Sequence, residues 1–157
     1  MNINQLKGKQ KDIIMYMKEK NLNIILLVET WLRPNMPAPI KNASIDIRSE
    51  RQTAGVGGRG GINGLFVVAK PGIRNIISIT CQDEKGHWVL FKIGSLEIAL
   101  CYFIPDMSLD DLNMEIDSIL SHVDNTNNFI IMGDFNSRHS IFGDTANTKK
   151  GSLDYLT

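Results

Sequence analysis

The chain has 157 residues, 43% of them apolar, enough for one domain with a substantial core and unlike a disordered or low-complexity protein. Its 17 basic and 17 acidic residues cancel, which excludes a general nucleic-acid coat while leaving room for a local basic groove. The two cysteines, Cys81 and Cys101, sit in separate apolar runs and read as buried thiols of a reducing compartment, not as a disulfide framework or a zinc site.

In chain order, residues 7–20 read as an amphipathic helix, with Ile13, Ile14 and Met17 on one side among lysines. The unbroken run Ile24-Ile25-Leu26-Leu27-Val28 reads as a strand buried on both faces, and it ends in Glu29. Pro34, Pro37 and Pro39 then predict a loop. Gly55-Val56-Gly57-Gly58-Arg59-Gly60 matches Gly-x-Gly-x-x-Gly, but a dinucleotide fingerprint must follow a strand and open a helix. Here it follows polar sequence and leads into an apolar strand, so it reads as a flexible glycine loop, and Arg48, Arg51 and Arg59 around it read equally as phosphate contacts or as solvated surface.

Further strands are expected over 64–68, 75–80, 88–93 and 96–104, the last two joined by a Gly94-Ser95 hairpin turn. Ser108-Leu109-Asp110-Asp111 has the form of a capping box and opens a helix running to about residue 123. A buried strand over 129–132 follows, then a polar loop, then a short helix over 152–156. Helix-linked strands mixed with hairpins suggest two packed sheets with helices outside. The first residues carry no leader and no run reaches membrane-spanning length, so the expected location is nuclear or cytoplasmic, with no membrane partner.

The stretch richest in chemistry is Gly133-Asp134-Phe135-Asn136-Ser137-Arg138-His139, which follows the apolar run 129–132. Glycine lets the chain turn sharply where the strand ends, delivering Asp134, Asn136 and His139 to the rim of a sheet, where α/β proteins bind ligands. A carboxylate, an amide and an imidazole together suit a divalent cation and a phosphate, though the same residues also suit a plain turn. Glu29 reaches the same rim from the end of its strand. It is either a metal-binding carboxylate or a loop cap paired with Arg33. Asn2 and Asn4 lie near the start of a first strand and mean nothing by themselves.

Taken together these segments resemble the endonuclease/exonuclease/phosphatase superfamily. Asn2-Ile3-Asn4-Gln5-Leu6 is similar to its opening Asn-x-x-Gly-Leu strand, with Gln5 in place of the glycine. Leu26-Leu27-Val28-Glu29-Thr30-Trp31-Leu32 is similar to its metal-binding glutamate motif. Gly133-Asp134-Phe135-Asn136 matches its Gly-Asp-x-Asn. Within the superfamily the chain most resembles the endonuclease domain of non-long-terminal-repeat retrotransposons, on Glu29-Thr30-Trp31-Leu32, on Arg51 followed by Gly60-Gly61-Ile62, on Asn136-Ser137-Arg138-His139-Ser140-Ile141-Phe142-Gly143 and on Lys150-Gly151-Ser152-Leu153.

The resemblance implies a two-sheet α/β sandwich with helices on the outer faces. It also implies a Mg²⁺- or Mn²⁺-dependent phosphodiesterase that nicks DNA. Glu29 and Asn2 are then metal ligands, Asp134 handles the attacking water, and Asn136 contacts a phosphate oxygen. His139 is a supporting residue, more structural than catalytic. Two departures stand out. The phosphate-contacting tyrosine of the family's Tyr-x-x-Pro or Tyr-x-Pro segment is Tyr102 under one spacing and is replaced by Phe103 under the other. The closing Ser-Asp-His tripeptide does not occur. The expectation is therefore a single domain lacking its last strands, impaired as an enzyme, whose relatives work beside a downstream reverse-transcriptase region. An inactive fragment of a mobile element and a phosphomonoesterase or inositol-phosphatase relative are the alternatives.

Overall fold

Apolar residues at alternate strand positions dictate the layering. The computed structural model describes residues 1–32, 40, 45–47, 64–123 and 128–137. They form α1 (Gln10–Glu19), β1 (Ile24–Val28), β2 (Ile45–Ile47), β3 (Leu65–Ala69), α2 (Pro71–Arg74), β4 (Ile77–Gln82), β5 (Trp88–Ile93), β6 (Leu96–Tyr102), α3 (Leu109–His122) and β7 (Asn128–Asp134). One sheet has the order β1-β3-β2 and is antiparallel; the other has the order β4-β5-β6-β7, antiparallel except for the parallel pair β6–β7.

Successive side chains on a strand point to opposite faces, and β1, β3, β5 and β6 each supply two cores. Val28, Leu65 and Val67 of the first sheet meet Val89, Phe91, Ile98 and Leu100 of the second in a core between the sheets. The intervening residues Ile25, Leu27, Phe66 and Val68 pack outward against Ile13 and Met17 of α1. On the other side Leu90, Ala99 and Cys101 pack outward against Leu112 and Ile119 of α3. The layers run helix, sheet, sheet, helix, the two-sheet α/β sandwich with outer helices. Burying each Leu, Val or Phe in these cores contributes about 1.5–3 kcal/mol, which exceeds any local propensity.

Several expectations change in detail. Cys101 is buried, but Cys81 is only half-buried, because β4 is an edge strand; both thiols are free. Ser108 Oγ accepts the Asp111 N–H at 3.1 Å, as an N-cap should, yet the Asp111 carboxylate takes the Ser108 hydroxyl at 2.6 Å and not its backbone N–H, so the box closes on one side only. The first strand shrinks to a parallel bridge between Asn2 and Val28. No pattern in the sequence marks β2 or α2. Both are too short for a periodic pattern, and α2 starts on a proline at its first turn, where the missing N–H costs nothing. The proline and glycine loops with Arg33, Arg48, Arg51 and Arg59, the helix over 152–156, and His139 lie outside the described residues. No helix among the described residues is long and apolar enough to cross a membrane.

Candidate active site

The parallel pairing of β6 with β7 sets Tyr102 beside Asp134 at the carboxyl ends of the two strands. Gly133 lies inside β7 and does not turn the chain. It faces Cys101 of β6 so closely that a Cβ on it would stand 1.9 Å from the Cys101 carbonyl oxygen. A glycine is therefore required there by close approach of the two backbones, at a φ of +156°. The turn comes later, at Asn136, whose φ is +50°.

Strand alternation decides between the two aromatics. Tyr102 follows Ile98 and Leu100 onto the face between the sheets, and its hydroxyl donates to Glu29 Oε1. Phe103 goes to the opposite face, fully buried against Phe135 at a ring separation of 5.5 Å. Glu29 itself sits just past β1 with φ +57°, and Trp31 follows at φ +53°. Left-handed backbone is uncommon for such residues and bends the chain back over the sheet's end. It turns the carboxylate toward Tyr102 and leaves the Trp31 side chain 38% exposed.

The N-terminal segment closes the arrangement. The Ile3 N–H bonds the Val28 carbonyl at 3.2 Å and the Gln5 N–H the Glu29 carbonyl at 2.9 Å, which holds Asn2 next to the end of β1. Asn2 Nδ2 then donates to Asp134 Oδ2 at 2.8 Å, and Asn2 Oδ1 accepts the Asn4 N–H at 3.1 Å. Gln5 adopts φ +82°, a conformation natural to glycine. The other Asp134 oxygen accepts the Asn136 N–H at 3.0 Å, and Asn136 Nδ2 donates to the Phe103 carbonyl at 2.9 Å. Asn2, Glu29, Tyr102, Asp134 and Asn136, drawn from four separate regions of the chain, thus form one network, hydrogen-bonded as Asn2–Asp134–Asn136 and as Tyr102–Glu29.

Burial pushes the Tyr102 hydroxyl well above the ordinary tyrosine range. The hydrogen bond to Glu29 and the negative charges of Glu29 and Asp134 push the same way, opposed by Asn136. The group keeps its proton and acts as a donor. Glu29, Asp134 and the Asn2 amide offer hard oxygen atoms of the kind Mg²⁺ and Mn²⁺ prefer, so the residues present fit such an ion. A second metal-capable group, Asp83, His87 and Glu115, lies apart from this network. Sequence reading passed over it. The Asp83-x-x-x-His87 spacing is a weak signal, and Glu115 joins only because α3 packs on the sheet.

Residues 96–153 match a family model described as endonuclease-reverse transcriptase. The endonuclease domain of TRAS1, a telomere-specific non-LTR retrotransposon, superposes with a TM-score of 0.62 at 16% identity, covering 98% of this chain and 64% of that one. The chain shares the fold of that endonuclease domain. Other solved endonuclease structures agree. An AP endonuclease from Archaeoglobus fulgidus gives a TM-score of 0.53 at 17% identity, over 87% of this chain and 55% of its own. The AP endonuclease LMAP from Leishmania major gives 0.57 at 16% identity, over 96% and 58%. The chain spans less than two thirds of each of these three structures. No curated protein sequence matches it. In fold the chain is similar to that retrotransposon endonuclease domain.

Proposed function

We propose that the chain carries the phosphodiester-cleaving site of a Mg²⁺- or Mn²⁺-dependent endonuclease acting on DNA. The observation that supports this best is the double hold on Asp134, one oxygen bonded by Asn2 and the other by the Asn136 backbone, beside the Tyr102–Glu29 pair. A carboxylate so fixed retains lone pairs for a water while its orientation is set. Asp134 orients that water and accepts its proton. Once Glu29 turns to a cation, the Tyr102 hydroxyl would donate to a phosphate oxygen, as would the Asn136 amide, which places hydrogen bonds where charge develops. Glu29 and Asn2 would hold the divalent cation, which when bound shields phosphate charge and stabilises the leaving oxygen. For His139, outside the described residues, the resemblance gives a supporting role.

The 157 residues contain no Ser-Asp-His, so no histidine–aspartate pair of that kind shares the proton handling with Asp134. Members of a cooperating catalytic set are strongly non-additive, and loss of one removes most activity. Residues 1–157 alone are expected to nick supercoiled plasmid no faster than their Glu29→Gln variant, and robust Mg²⁺-dependent nicking would overturn this impairment. In a chain extended by a segment that carries Ser-Asp-His, Asp134→Asn keeps the shape and removes the charge, and cutting should slow by about a hundredfold or more. Normal cutting by that variant would overturn the role given to Asp134.

A further inference from the structure

The turn between β4 and β5 meets α3 on the face of the second sheet opposite Tyr102 and Asp134. There His87 and Glu115 are 3% and 7% exposed. His87 Nδ1 lies 3.0 Å from Glu115 Oε1 and 3.7 Å from Asp83 Oδ2, and the three atoms all fall within 4.8 Å of one another. Two carboxylates this close, one of them buried, repel unless a cation lies between them. The half-exposed Lys85, 3.4 Å from Glu115 Oε1, supplies one positive charge against two negative ones.

We propose that Asp83, His87 and Glu115 form a structural site for a divalent cation of the zinc type, which fastens α3 to the β4–β5 turn. One imidazole nitrogen and two carboxylate oxygens make a donor set suited to zinc better than to Mg²⁺. Tetrahedral zinc with bonds of about 2.0–2.2 Å needs adjacent ligand atoms roughly 3.3–3.6 Å apart; the two distances from His87 Nδ1, 3.0 and 3.7 Å, lie close on either side, and the two carboxylate oxygens, within 4.8 Å of each other, would draw in on an ion.

The ligands are also held from behind. Trp88 Nε1 donates to Glu115 Oε2 at 3.0 Å, leaving Oε1 turned toward His87, and the His87 N–H donates to Asp83 Oδ2 at 2.9 Å. Such outer hydrogen bonds orient ligating groups in metal sites. His87 Nε2 is buried without a partner among the described residues, so every polar contact of the ring lies on the side that faces the two carboxylates. Lys85, 57% exposed, is free to swing into solvent when an ion enters. The carbonyl of His87 accepts the Tyr102 N–H at 2.7 Å, so an ion fixing His87 also steadies the end of β6.

The test is Zn²⁺ binding by the 157-residue chain, read by calorimetry and by thermal unfolding. One equivalent should bind, and at about a hundred times Kd the midpoint should rise by roughly 5–10 °C. Asp83→Asn, which preserves shape, should weaken binding at least about tenfold and remove the rise. Glu115→Gln serves in its place should Asp83→Asn not fold. Glu29→Gln should bind Zn²⁺ as the parent does, which separates this site from the phosphodiester site. A parent chain that Zn²⁺ does not stabilise would show a plain ion-pair latch, with a protonated imidazole in the cation's place, and would overturn the proposal. So would binding unchanged by Asp83→Asn, or lost in Glu29→Gln.

Discussion

Tyr102 shows how one residue joins fold and chemistry. Its ring belongs to the core between the sheets, and its hydroxyl reaches Glu29. Burial and two neighbouring carboxylates hold the proton on. In unfolded chains a tyrosine loses its proton near pH 10, so above about that pH the native chain carries a proton that the unfolded chain lacks, and stability falls as pH rises. Below it the stabilisation is fully present. Urea unfolding at about pH 9 and 11 should therefore show a larger loss of stability in the parent than in Tyr102→Phe. Parallel losses in the two would contradict the environment assigned to the hydroxyl. From sequence the choice between Tyr102 and Phe103 stayed open, because a one-residue difference in register moves every side chain of a strand to the other face. Gly133 is a glycine for a reason other than the turn its position suggests. The constraint is the Cys101 backbone beside it, which no local pattern reveals.

Among the elements, β6 and β7 carry the greatest structural demand, since their parallel pairing aligns the two ends of the site. Gly133→Ala should force them apart and destabilise the chain by about 3 kcal/mol or more, the upper range for an overpacked position. Phe103→Ala should cost a similar amount, about 3–5 kcal/mol, through the cavity left beside Phe135, while leaving Mg²⁺ affinity of the folded chain nearly unchanged. Melting curves with a Mg²⁺ titration on each variant check both. A Gly133→Ala chain as stable as the parent would mean that the β6–β7 pairing is looser than described. Elements with long apolar runs or a clear period were legible in the sequence: α1, β1, β3, β5, β6, α3 and β7 all fall where their patterns place them, with ends shifted by a few residues. Boundaries moved because pairing partners, not propensity, decide where a strand stops. β2 was invisible because three residues carry no period.

For the whole molecule, the sandwich follows from period-two patterning that serves two cores at once. The convergence of Asn2, Glu29 and Asp134 could be read only through resemblance. Contacts between residues 132 positions apart leave no trace in local sequence. The grouping of Asp83, His87 and Glu115 was missed for the same reason. β7 carries Ile130 and Met132 with 43% and 38% exposure, on the face that continues the core between the sheets, so this edge exposes apolar surface. We propose that Asn2, Glu29 and Asp134 form one site for a hard divalent cation, and calorimetric titration of the folded chain with Mg²⁺ decides it. Weak binding is expected, largely abolished by Glu29→Gln and left intact by Asp83→Asn. Equal Mg²⁺ binding by the parent and Glu29→Gln would contradict it.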